Sequence, residues 1–166
     1  TGLVAYLRGE QPDAATIALR ADTDALPIHE ASEVPYASRN DGVMHACGHD
    51  VHTAAMLGVV YILHNNSAAF QGTIKVLFQP GEEQAPGGAN LMIRDGALQN
   101  PAPEVIIGQH VHPELPAGSV GLKSGPFMAS SDEVRITVHG KGGHAAMPHK
   151  LVDPVVTASH IVVSLQ

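Results

Sequence analysis

Gly72-Thr73-Ile74-Lys75-Val76-Leu77-Phe78, followed at once by Gln79-Pro80-Gly81-Glu82-Glu83, is a short β-branched and apolar run that stops at a Pro-Gly turn. A run of this length and composition suits a strand buried within a sheet. Two other segments share its texture. Ala15-Thr16-Ile17-Ala18-Leu19-Arg20 leads into Ala21-Asp22-Thr23-Asp24, and Glu104-Val105-Ile106-Ile107-Gly108 leads into Gln109-His110-Val111-His112. Between the first two, Val51 to Leu63 reads as a helix, with Ala54, Ala55, Leu57, Val59, Tyr61 and Ile62 giving it a broad apolar surface; Asn65-Asn66-Ser67 ends it. A second helix is expected over Ala89 to Leu98. Strand, helix, strand, helix, strand is the pattern of an α/β sheet, whose ligands bind beyond the carboxyl ends of the strands.

The residues at those ends carry the chemistry. Met44-His45-Ala46-Cys47-Gly48-His49-Asp50-Val51-His52 brings together the only cysteine, three of the 11 histidines and an aspartate. Thiolate, imidazole and carboxylate in so short a stretch are what zinc, or a metal pair, selects. Cys47 and His49 lie two apart at a helix entry, where side chains converge. His45 and His52 are weaker candidates, since His52 at i+3 from His49 can simply line the same helix face. Glu82 and Glu83 follow the second strand: one carboxylate can hold an ion while the other takes a proton from water. His110 and His112 occupy the same position after the third strand. Asp22 and Asp24 follow the first, placed to ligate a metal, to orient a ligand histidine or to bind substrate. A competing reading makes Cys47 a nucleophile with a histidine base. His29, His64, His139 and His160 stand alone and read as surface or satisfied core residues.

Composition narrows the classes further. At 166 residues, 44% apolar and 15% charged, the chain is globular, with room for one domain or one and a half. A formal charge of −7 argues against nucleic acid and leaves a small molecule as the expected partner. No stretch approaches the roughly 20 apolar residues of a membrane span, and no signal peptide is visible. A single cysteine forms no internal disulfide, which fits a reducing, cytoplasmic compartment. After Pro113 the chain becomes turn-rich. Asp132 to Val138 then alternates Val134, Ile136 and Val138, the pattern of a half-buried strand, and Asp153 to Leu165 reads as an apolar helix with Pro154 in its first turn. An opening on Thr1 and a final helix with no capping signal after it lead us to expect an internal piece of a longer protein.

Four motifs together, Leu19-Arg20-Ala21-Asp22-Thr23-Asp24-Ala25-Leu26-Pro27-Ile28, His45-Ala46-Cys47-Gly48-His49-Asp50-Val51-His52-Thr53, Gln79-Pro80-Gly81-Glu82-Glu83 and Gly142-Gly143-His144-Ala145-Ala146-Met147-Pro148-His149, resemble the M20 metallopeptidase family. The match is to its amidohydrolase branch of hippurate hydrolases, N-acyl-amino-acid amidohydrolases (aminoacylases) and auxin-conjugate hydrolases. The resemblance implies a zinc-peptidase-like α/β catalytic domain, partial here over residues 1–123, and the first part of a smaller α/β satellite domain over 124–166 that commonly makes a homodimer. It places metal ligands on Cys47, His49, Glu83 and His110, with His112 as competitor to His110. It places the general base on Glu82, and a histidine that reaches the substrate carbonyl on His144. Two divalent ions are implied, with manganese, zinc, cobalt and nickel all candidates, and a further histidine ligand is expected beyond Gln166. The implied reaction is hydrolysis of N-acyl amino acids to a carboxylic acid and an amino acid. The third reading, beside amidohydrolase and cysteine hydrolase, is a non-catalytic remnant that binds metal or dimerises.

Overall fold

The computed structural model describes residues 2–130 and 132–166. Its regular elements are β1 (Leu3–Arg8), β2 (Thr16–Asp22), α1 (His49–Asn65), β3 (Thr73–Gln79), α2 (Gly88–Arg94), β4 (Val105–Gly108) and α3 (Pro154–Ser164), with short 3-10 turns at Ser67–Ala69 and Pro148–Lys150. They fall into two units, one running to Ser119 and the other starting at Val120.

In the first unit the strands form one mixed sheet in the order β1-β3-β2-β4. β2 runs parallel to both β3 and β4, as the two helical crossovers require. The three expected strands and both expected helices form, with ends displaced by a few residues. β1 was not expected from the sequence; it adds antiparallel to β3, pairing Leu3 with Phe78 and Arg8 with Thr73. β4 departs from the buried strand expected of it. Among the described residues it has a neighbour on one side only, and Val105, Ile106 and Ile107 are each about half exposed.

The core lies between the sheet and α1, where Ala21, Met56 and Val76 are buried and Leu7, Leu19, Val60, Ile74 and Phe78 pack round them. The expected apolar face of α1 is therefore not the one turned to the sheet. His49, His52, Met56 and Val60 face inward, at helical i, i+3 and i+4 spacing, while Leu57, Tyr61 and Ile62 are exposed. The reason is at the amino end of the helix, where two histidines must reach carboxylates at the end of β2. The other end is closed by asparagines: Asn65 Nδ2 donates to Tyr61 O and Asn66 Nδ2 to Ile62 O.

Lys75, in the central strand, is fully buried. Its Nζ donates to three carbonyls, Ala97 O at 3.0 Å, Gln99 O at 2.7 Å and Pro101 O at 2.7 Å, so the segment between α2 and β4 is clamped to the sheet. Charge-assisted bonds of this kind offset the cost of an ammonium out of water. Burial still pulls its pKa below the usual lysine range.

In the second unit α3 is capped by Asp153, whose Oδ1 accepts from Val155 N–H at 2.8 Å and Val156 N–H at 3.4 Å. Pro154 takes the first helical position, where no N–H is needed. The strand expected over residues 132–138 does not form: the segment has no ladder partner among the described residues, and Val134 and Ile136 stay exposed. A single antiparallel bridge joins Lys141 to Val152.

Candidate metal centre

β2 and β3 end level with each other, Asp22 opposite Gln79, so the loops leaving the two strands emerge on one edge of the sheet. Thr23-Asp24 leaves β2, Pro80 to Glu83 leaves β3, and His110 lies two residues beyond Gly108 at the end of β4. The amino end of α1 reaches this edge. Gly48 precedes the helix with φ 81°, a left-handed conformation glycine adopts at little steric expense, and this turns Cys47 and His49 toward the strand ends.

His49 is the centre of the arrangement. Its ring is 1% exposed, and Nδ1 lies 3.1 Å from Asp24 O and 3.2 Å from Asp24 Oδ1. Both are acceptors, so Nδ1 carries a proton, and in the neutral ring Nε2 presents a lone pair. Nε2 is buried with no hydrogen-bond partner, 3.7 Å from Asp22 Oδ2 and 3.9 Å from Glu83 Oε1. Glu83 Oε1 is likewise buried without a donor. Acceptors facing one another with no proton between them are costly unless a cation lies among them. The donor set therefore fits a metal ion on the chain's own geometry.

Around His49, one ligand atom from each of Cys47, His49 and His110 falls within 4.8 Å of the others, and the same holds for His49, Glu82 and Glu83. Cys47 Sγ is 3.4 Å from His110 Nε2, and His110 Nδ1 donates to Val111 O at 2.8 Å, which leaves Nε2 as the free lone pair. His112 takes no part in any such group among the described residues; its carbonyl accepts from Leu115 N–H in a turn. Glu82 is exposed and Glu83 only partly so.

Asp22 and Asp24 act as supports. Asp24 Oδ2 accepts from Glu83 N–H at 3.0 Å while Oδ1 holds His49, so one carboxylate fixes two of the clustered residues. Asp22 accepts from Arg20 Nη1 at 2.7 Å and from His52 Nδ1 at 2.6 Å. Burial works to raise both carboxyls. In Asp22 it is outweighed by the His52 hydrogen bond and the charge of Arg20, in Asp24 by backbone N–H donors and the His49 hydrogen bond, so both lie below their ordinary range and stay ionised. Cys47 is shifted the other way: burial, then the hydrogen bond and charge of Glu83, then the charges of Glu82 and Asp22, push its thiol up.

His52 gains a part that the sequence did not assign it. A third group of potential ligand atoms joins Asp22, His49 and His52, all buried. Yet both His52 nitrogens are already used, Nδ1 by Asp22 and Nε2 as acceptor from Val111 N–H at 2.8 Å. His45 keeps a buried, unpartnered Nδ1 but joins no such group among the described residues. His144 belongs to the second unit, where its Nδ1 accepts from Ala146 N–H at 3.1 Å.

Residues 18–164 match the family model described as peptidase family M20/M25/M40. The chain belongs to that family. Over its whole length it is 49% identical to an N-acetyl-L-cysteine deacetylase of Bacillus subtilis and 44% identical to an N-acyl-L-amino acid amidohydrolase of Geobacillus stearothermophilus, covering 39% and 44% of those proteins. Among solved structures, the Bacillus subtilis YXEP protein, described as a dinuclear metal binding peptidase of the M20 family, superposes with a TM-score of 0.71 at 45% identity, over 76% of this chain and 34% of that one. The chain thus spans about two fifths of the length of the curated relatives it matches. Among the described residues no helix is long and apolar enough to cross a membrane.

Proposed function

We propose that the protein carrying this chain is a metal-dependent amidohydrolase that cleaves the amide bond of N-acyl amino acids, hippurate-like conjugates among them, to a carboxylic acid and an amino acid. The observation that carries this reading is the facing pair of potential ligand atoms, His49 Nε2 and Glu83 Oε1, buried without hydrogen-bond partners beside Cys47 and His110. Cys47, His49, Glu83 and His110 hold two divalent metal ions, drawn from manganese, zinc, cobalt and nickel. Divalent ions bound there supply Lewis acidity, acidifying water and polarising an amide carbonyl.

The chain's own groups then do the proton work. Glu82 accepts the proton of the attacking water and returns it to the leaving amine. His144 is assigned the carbonyl oxygen, on the strength of its Gly-Gly-His motif. Asp24 holds His49 with its Nε2 toward the centre, and Asp22 holds His52, whose Nε2 accepts from Val111 N–H. Residues 124–166 are assigned to a satellite domain that pairs two copies of the protein, and a reducing cytoplasm is the compartment that keeps Cys47 a thiol.

Cys47 itself speaks against a cysteine hydrolase. A nucleophilic thiolate needs an electropositive surrounding, whereas burial first, and then the carboxylates of Glu83, Glu82 and Asp22, raise this thiol. The test is inhibition of the complete protein, assayed on a panel of acetyl and benzoyl amino acids. EDTA is expected to abolish hydrolysis, and added Mn²⁺, Zn²⁺, Co²⁺ or Ni²⁺ to restore it. Activity that survives EDTA and dies with iodoacetamide would assign the chemistry to Cys47 instead. Metal uptake with no turnover on any conjugate would leave a binding remnant.

A further inference from the structure

We infer that His52 is a positioning residue which, through the backbone N–H of Val111, sets His110 against Cys47; the inference rests on the metal-centre reading of the proposed function. His110 lies beyond β4, an exposed edge strand, and the backbone there has little else to hold it. Among the described residues, the one hydrogen bond from the backbone of residues 109–112 to another part of the fold is Val111 N–H to His52 Nε2, at 2.8 Å.

His52 is itself held tightly. Its ring is 1% exposed, its Nδ1 donates to Asp22 Oδ1 at 2.6 Å, and Asp22 is fixed in turn by Arg20, whose Nε donates to Gln79 Oε1 at 2.9 Å. Thr53 Oγ1 also donates to Asp22 O at 3.1 Å, tying α1 to the end of β2. The Asp22 carboxylate is an acceptor only, so it keeps the proton on Nδ1 and leaves Nε2 free to accept from Val111.

The His52 and His110 rings meet edge to face with centroids 4.6 Å apart, which fixes the His110 ring as well as its backbone. Val111 is seated from the other side by Gly48: a Cβ at that position would stand 2.5 Å from Val111 Cγ2. Sheet, helix and loop thus meet at one imidazole, and the loop it holds carries the residue that faces the thiol.

With both nitrogens committed, His52 has no lone pair to give a metal, although it belongs to a compact group with Asp22 and His49. Two conservative variants separate its two bonds. In His52→Gln the amide oxygen sits where Nε2 was and can still accept from Val111. In His52→Asn the amide sits where Nδ1 was, keeps Asp22 and falls short of Val111.

The experiment is titration of the complete, metal-free protein with Co²⁺, following the near-ultraviolet thiolate-to-cobalt absorption that reports Cys47, with thermal melts of each metal-free variant as a folding control. His52→Asn is expected to melt like His52→Gln but to bind cobalt at the thiolate site roughly 10 to 100-fold more weakly. His52→Gln should titrate close to wild type. Equal, wild-type titrations for both variants would overturn the positioning role and leave the metal centre standing. Loss of a whole equivalent of cobalt in both variants would overturn it by making His52 a ligand. Wild-type protein that takes up no cobalt would overturn the metal-centre reading and this inference with it.

Discussion

Replacing Glu82 by glutamine in the complete protein is expected to lower turnover on N-acyl amino acids by a factor on the order of 10²–10⁴ while metal content and melting temperature stay at wild-type values. The size comes from the role. A general base accounts for about that much rate, and the amide of glutamine cannot accept the proton of water. The selectivity comes from the structure. Glu82 is exposed, and its side chain takes no hydrogen bond among the described residues, so nothing in the fold depends on its charge. Glu83, one residue on, gives the opposite pattern: its buried oxygen faces His49 Nε2, so Glu83→Gln should lose metal first and turnover as a consequence. Unchanged hydrolysis by Glu82→Gln would remove Glu82 from the reaction. Loss of metal in that same variant would make it a ligand.

The second large effect is predicted for a residue with no chemistry of its own. Gly88 opens α2 directly beneath the turn that carries Glu82 and Glu83, its N–H donating to Gly81 O at 2.8 Å. A Cβ added there would stand 1.6 Å from Pro80 O and 2.7 Å from Pro80 C. Those are backbone atoms, which no rotamer change can move. Gly88→Ala must therefore push the residues 80–83 turn away from the strand end, separating Glu83 from His49 and breaking the Asp24 bond to Glu83 N–H. A cost of about 3 kcal/mol in stability is expected from overpacking of this kind. Hydrolysis should fall to background. Gly58→Ala, in the middle of α1 with open space around it, provides the contrast and should gain roughly 0.5–1 kcal/mol. Chemical denaturation and metal titration of the two variants side by side measure both effects. A Gly88→Ala protein as stable as wild type, with full metal affinity, would show that the turn is not held as described.

The features legible in the sequence and those hidden from it divide along physical lines. The grouping of Cys47, His49, Glu82, Glu83 and His110 could be anticipated because a parallel sheet gathers the residues just past its strands at one edge, which the entry turn of α1 also reaches. Lys75 was not legible, since a lysine within an apolar run looks like a solvent-facing position. Its three acceptors are main-chain carbonyls far along the chain, and carbonyls leave no mark on a sequence. The same reason hid the second bond of His52, whose partner is the amide of Val111; only the pairing of a first-turn histidine with a strand-end aspartate hinted at a role. The inward face of α1 was misjudged because hydrophobicity favoured Leu57 and Tyr61, while the requirement to bring His49 and His52 to Asp24 and Asp22 decided the rotation of the helix. Residues 132–138 have the alternation of a strand, but alternation marks only the ability to pair, and the ladder needs a partner.

Cys47, His49, Glu83 and His110 are proposed to hold two divalent metal ions between them. Anomalous diffraction from crystals of the complete protein, collected on both sides of the absorption edge of the metal it carries, tests this most directly. Strong anomalous density is expected among Cys47 Sγ, His49 Nε2, Glu83 Oε1 and His110 Nε2, with His52 and His112 outside the coordination shell. A metal-loaded crystal with no peak there, or with a peak bound by His52 or His112 in place of His110, would contradict this assignment.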